Sequence, residues 1–325
     1  MRKKLFLIII FIFASSFVFG DPSSNEDNNS QDLNNPDVLW RIFLSSSDTG
    51  KMTEILISLG SLGKGNRQVI DNLNNHLMGM NLLFRSGSSV NYTVVSACIA
   101  AIMELGDSSS FPALFSVLYA GYPEIIASEA LGALEIIPGN LFQFLLNVIL
   151  NNPPEEKFAA FRTGINSVRF SVSERGQFAE NALEQALSDT NENFDMAAMR
   201  YSAIYALTQL RWTRANALVI RHYYRVQADY LQGNVSKERF IEAIACLGAV
   251  GNSDAALVLG LQLGLINART EQTGNYDPDI TMAIVRALGN IGFHAAFDHL
   301  LTVSNLPYPE DIIAAAGEAI DRLKW

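Results

Sequence analysis

The chain is poor in the residues that do chemistry. Its 325 residues include two cysteines, four histidines and three tryptophans. Two cysteines exclude a disulfide framework as the source of stability. None of the histidines (His76, His222, His294, His299) is followed by glutamate, and no two stand four apart, so a helix-borne metal pair has no ligands. His294 and His299 flank Asp298, but a spacing of five turns the two rings to different helix faces. No Gly-x-Ser-x-Gly elbow and no Cys-His arrangement is present. Residues 59–66 (LGSLGKGN) look like a phosphate loop but miss the Gly-x-x-x-x-Gly-Lys-Ser/Thr spacing. They read better as a helix end, with Gly63 or Gly65 left-handed and Lys64 near the negative pole. Basic residues are also scarce, 23 against 33 acidic, a net charge of −10. That balance argues against nucleic acid or an anionic lipid surface as the main partner. The sequence therefore predicts a protein that is not an enzyme, with no cofactor and no metal.

Long apolar runs are nearly absent too, and the one present stands at the start. Arg2, Lys3 and Lys4 precede an apolar stretch over 5–19, and Val18-Phe19-Gly20 fits a small-residue cleavage site. Fifteen residues are short for a spanning helix. Residues 1–20 are predicted to be a cleaved signal peptide of bacterial type, which places the protein in the periplasm or at the cell surface. Residues 21–35, rich in Asn, Ser and Asp, are predicted to be a disordered lead-in. Removing the three basic residues of the leader takes the net charge to −13. No later run of eighteen apolar residues exists, so no integral membrane segment is expected after cleavage.

What the chain has in quantity is one helix, written eight times. A small residue stands at Ser58, Ala101, Ala130, Gly164, Ala206, Cys246, Ala287 and Ala319. Leu or Ile follows at 59, 102, 131, 165, 207, 247, 288 and 320. Another aliphatic residue comes three further on, from Leu62 to Leu323, and the position three before the small one is mostly apolar. Steps of three, one and three residues draw one stripe along a helix. The small positions recur every 29 to 43 residues, room for two helices and two turns. A second apolar-periodic segment lies between successive stripes, and turn signals such as Pro138-Gly139 and Gly251-Asn252 separate them. No stretch shows the period-two alternation of strands. Such a repeat predicts an all-α fold, a stacked α-solenoid in which each unit contacts its neighbours. Cys98 and Cys246, four repeats apart on the apolar stripe, are then too distant to bridge and belong to the core.

The best copies are residues 278–292 (PDITMAIVRALGNIG), 122–134 (YPEIIASEALGAL) and 238–251 (ERFIEAIACLGAVG). These resemble the HEAT-repeat family. The resemblance covers residues 36–325 and implies about eight HEAT-like helical-hairpin repeats in a right-handed superhelix. The copy over 155–168 departs most, with Phe161 where a small residue is usual. Residues 309–325 are expected to be a C-terminal cap helix, carrying Glu318, Asp321, Arg322 and Lys324 on its uncovered side.

In HEAT solenoids the striped helix usually lines the concave face. Positions five before, one before and two after the small residue are expected to point away from the core. In the middle these are Tyr201, Tyr205 and Thr208, with Thr163, Asn166, Glu129 and Arg286 on neighbouring copies. Tyr201 and Tyr205, one turn apart, are expected to form an aromatic ridge of the kind binding hot spots use. Arg214, Arg221 and Arg225 stand at i, i+7 and i+11, within a cluster that includes Arg200 and Arg239. They are predicted to form a basic stripe, either a solvated helix face or a docking face for an acidic partner. The sequence thus points to an exported scaffold or adaptor that binds another protein through its solenoid surface. The rivals are a regulatory subunit or enzyme with a concave-face site, and a structural envelope protein assembling through its own copies.

Overall fold

In a computed structural model, residues 34–189 and 193–324 are described. The signal segment and most of the lead-in fall outside them. The protein is all-helical, and among the described residues the sole β-type pairing is an isolated bridge between Phe293 and Lys324. Eight helices carry the stripes: α2 (Thr49–Leu62), α4 (Tyr92–Leu105), α6 (Glu124–Ile136), α8 (Pro154–Asn166), α10 (Phe194–Leu210), α12 (Lys237–Val250), α14 (Pro278–Ile291) and α16 (Glu310–Asp321). Eight others alternate with them: α1 (Pro36–Ser45), α3 (Arg67–Arg85), α5 (Phe111–Ala120), α7 (Leu141–Asn151), α9 (Val172–Ser188), α11 (Asn216–Leu231), α13 (Ser253–Thr273) and α15 (Phe297–Val303). No helix among them is long and apolar enough to cross a membrane.

The helix boundaries follow from local chemistry. Asn35, Asp48, Asn66, Asn91, Asn140 and Asp277 each accept a backbone N–H of the first turn they precede. Ser171 and Glu174 close a capping box at α9. Pro278 starts α14, whereas Pro309 stands one residue outside α16. At the glycine-rich end of α2 it is Gly65 that turns left-handed (φ +76°), while Gly63 stays at φ −86° and Lys64 pairs with Glu104 at 2.6 Å.

Packing explains why the stripe needs a small residue. Leu59, Leu247 and Leu288 are fully buried, and the glycine after each lies against the backbone of the next striped helix. A Cβ at Gly60 would stand 2.9 Å from the Ala101 Cα, one at Gly248 2.8 Å from the Ala287 Cα, and one at Gly289 2.9 Å from the Ala319 Cα. The pairs α2–α4, α12–α14 and α14–α16 are therefore backbone-to-backbone contacts. In α2, α12 and α14 the position two after the small residue faces this joint and not the outside, and Thr208 follows them, contrary to the expectation, whereas Met103, Asn166 and Asp321 are exposed there. On α10 Thr208 fills the place glycine takes elsewhere. It is half-buried beside Cys246, and its hydroxyl donates to the Ile204 carbonyl at 2.8 Å.

The stripe register holds in α4, α10, α12, α14 and α16 and slips in the middle. In α6 the buried set is Ile126, Ala130, Ala133 and Leu134, continued by Ile137, while Leu131 is 37% exposed. The small-then-aliphatic pair there is Ala133-Leu134, three residues later than the pattern suggested. Gly132, which the pattern equates with Gly248, faces nothing within 4 Å. In α8 the buried residues are Ala160, Phe161, Thr163 and Gly164, followed by Ser167, and Val168 is 82% exposed. Glu135 takes the glycine position after Leu134, and α6 and α8 lack the close contact of the other striped pairs. Polar bonds bridge them instead. Ser167 donates to Glu135 at 3.1 Å, and Arg169 donates to the carbonyls of Leu134, Ile137 and Gly139 at the negative end of α6.

Both cysteines are free and buried, each hydroxyl-like thiol directed at a carbonyl, Leu73 for Cys98 and Ile204 for Cys246. Burial pushes both thiols up to about 12, so neither is a ready nucleophile. The far end of the chain folds back: the Lys324 N–H donates to the Gly292 carbonyl at 2.9 Å, with Leu323 buried beneath it. Glu318, Asp321, Arg322 and Lys324 are exposed.

Candidate functional site

Where α6 and α8 part, a furrow opens along the striped helices. One stretch of it, 460 Å³, is bordered by Leu118, Ala127, Leu131, Arg162, Asn166 and Val168. A second, 870 Å³, runs from Arg162 and Asn166 past Tyr201 and Tyr205 to Arg239 and Glu242. Arg162 and Asn166 border both, so the two stretches are neighbours on either side of these residues. Leu131, Val168 and Tyr205 are exposed along it, at 37%, 82% and 69%. The slip in register released Leu131 and Val168, whereas Tyr205 faces outward from the unslipped pattern of α10. Arg162 lies over the Phe158 ring, and Arg175 donates to the Ser167 carbonyl at 3.0 Å.

The structure brings some of the expected site residues together and separates others. Tyr205 stands out from α10 into the furrow. Tyr201 does not join it as a ridge: it is half-buried, with the Arg239 guanidinium 4.2 Å from its ring centre and His222 edge-on at 5.8 Å. Thr208, Thr163 and Asn166 border the furrow. Glu129 is exposed outside it, and Arg286 belongs to a separate recess with Asp311, Glu318 and Arg322. The three arginines of the supposed stripe have different surroundings. Arg214 precedes α11 in a short 3-10 turn and lies over Trp212 at 5.6 Å. Arg221 is exposed on α11. Arg225 is half-buried and donates to the Asp189 carbonyl at 3.2 Å. The helix that bears Arg221 and Arg225 is 16 residues long, shorter than α13 at 21.

Arg162, Arg175, Arg239 and Glu242 were not among the residues expected on this face. The last two stand seven and four before Cys246, a spacing that assigns them to the stripe's own face, so the sequence pattern did not point to them. Arg162 and Arg175 carried no signal either, because the register of α8 is set by how it meets α6. Elsewhere, His299 lies over Gly260 and Gly264 of α13, while His294 leans on Phe293, so the two rings have separate neighbours. Among the described residues no three of His, Cys, Asp and Glu cluster as a metal set would require.

No protein-family model matches the chain, and no curated protein matches it. A solved structure described as "Computational Design of Self-Assembling Cyclic Protein Homooligomers" is 14% identical over 88% of this chain and 87% of its own. Its TM-score of 0.12 is too low for the likeness to carry an argument.

Proposed function

We propose that the protein is an exported, non-enzymatic scaffold or adaptor of the bacterial periplasm or cell surface. In this reading it is a right-handed α-solenoid of about eight HEAT-like repeats that binds another protein. The observation that carries the reading is the pair of neighbouring open grooves between Leu131 and Glu242. They are apolar at the base, with Arg162, Arg175 and Arg239 beside Glu135 and Glu242 on their margins. An extended segment of a partner fits such a groove better than a small molecule does, since drug-sized ligands favour closed pockets. Tyr205 is its aromatic anchor. A photo-crosslinking amino acid at position 205 should label a partner in the native envelope, and one at position 257 on α13 should not. Equal labelling from both positions, or from neither, would remove the furrow as the binding face.

A second reading, a structural envelope protein that assembles through its own copies, has one observation in its favour. Leu257, Leu261 and Leu265 stand one turn apart on α13 and are exposed at 51%, 66% and 69%. That is an apolar row of the kind that partners cover. Light scattering of the mature chain separates the readings. A monomer supports the scaffold, and an oligomer dispersed by Leu261→Glu supports assembly.

A further inference from the structure

Arg200 is a buried charge with few partners, attracted from a distance by Asp229. It stands on α10 and is 6% exposed. Its guanidinium lies over the Tyr201 ring at 5.0 Å and gives the Tyr201 hydroxyl one long bond of 3.4 Å. Its Nε and Nη1 have no acceptor. Among the described residues no carboxylate forms an ion pair with it. A guanidinium cannot escape this by losing its proton. A buried charge whose nearby carboxylate makes no ion pair with it is poorly compensated, so the position favours an anion.

There is room for one. Arg200 lines a recess of 230 Å³, with Ala186 and Asp189 from the end of α9, Arg225 and Asp229 from α11, and Asn234 and Val235 beyond it. A water takes about 30 Å³ of liquid, so the recess holds a small oxyanion with space left over. The carboxylates at its wall are Asp189, which accepts the Asn193 N–H at 3.1 Å, and Asp229. Behind them His222 is buried with neither ring nitrogen bonded. Burial, then Arg200 and Arg225, drive its pKa down to about 3, so it adds no charge of its own. Two guanidinia facing one recess suit the fork geometry that carboxylate and phosphate groups share.

We propose that the recess between α9, α10 and α11 binds a small oxyanion, a carboxylate or phosphate group, through Arg200 and Arg225. This site stands apart from the furrow, on the other side of Tyr201, and does not depend on the scaffold reading. The test is the melting temperature of the full chain as chloride is replaced by phosphate or by acetate at fixed ionic strength. A rise with anion concentration is expected, with an apparent affinity reduced about tenfold or more in Arg225→Gln, abolished in Arg200→Met and increased in Asp229→Asn. A response to one anion alone names the class. Phosphate also stabilises proteins by exclusion from their surfaces, so a rise undiminished in both arginine variants would overturn the proposal. No rise with either anion would overturn it as well. So would Asp229→Asn destabilising the chain as Arg200→Met does, since a carboxylate of the chain itself would then be the partner. Should Arg200→Met fail to fold, Arg225→Gln decides the matter.

Discussion

Adding one methyl group at Gly248 should destabilise the protein, and adding the same group at Gly132 should not. Both glycines follow a leucine on a striped helix, and in sequence the two sites are indistinguishable. In α12 a Cβ at Gly248 would stand 2.8 Å from the Ala287 Cα and 2.9 Å from its Cβ. Carbon atoms in good contact are about 3.5–4.0 Å apart, so α12 must move away from α14 by more than half an ångström. The atoms it meets are backbone and a methyl group, and neither can turn aside. Overpacking of this kind costs about 1–3 kcal/mol, and the better helix propensity of alanine returns at most about 1 kcal/mol. Gly248→Ala should therefore lose about 1–2 kcal/mol. Gly132 meets nothing within 4 Å, so Gly132→Ala keeps the propensity gain of up to about 1 kcal/mol. Thermal and urea unfolding of the full chain reads both, with a fall of about 2–6 °C for the first and a small rise for the second. Shifts of the same sign and size would mean that α12 and α14 do not meet backbone to backbone, and that the three-residue slip in α6 is wrong.

Three further outcomes follow from the same packing. Leu247→Ala, at a fully buried position, should cost about 2–5 kcal/mol, while Leu131→Ala, 37% exposed, should stay within about 1 kcal/mol; paired denaturant midpoints check this. Arg169→Met removes charged bonds to three carbonyls at the end of α6 and should lower stability by about 2–3 kcal/mol, with increased amide exchange in α6 and α8. His222 is held neutral in the folded protein by a pKa driven down to about 3, against about 6.5 unfolded. The unfolded chain therefore takes up the extra proton, so this contribution is complete above pH 6.5 and declines as the pH falls toward 3. Between pH 6.5 and 5, above the range of ordinary carboxylates, wild type should lose stability that His222→Phe does not; parallel slopes would show that His222 is not the titrating group.

Much of the architecture was legible because it rests on local rules. Spacings of three, one and three residues can only draw a stripe on a helix, and a helix end declares itself through caps such as Asn91 and Asp277 or a left-handed Gly65. Two cysteines four repeats apart spoke against a disulfide, and both are free and buried. The sequence also put Tyr205 and Asn166 on the outer face, whereas Thr163, expected beside them, is buried because the register of α8 slips. What it left open depends on how two helices meet. The pattern Ala130-Leu131-Gly132 matches Cys246-Leu247-Gly248 letter for letter in kind. Yet α6 buries Ala133 and Leu134 instead, because Glu135 and the Arg169 bridge set its distance from α8. That joint opens the furrow and exposes Leu131 and Val168. Arg200, which reads in sequence as one more surface arginine, is buried because α9 and α11 close over it. Phase is written in each helix; the distance between helices is decided only when side chains from both compete for the same space.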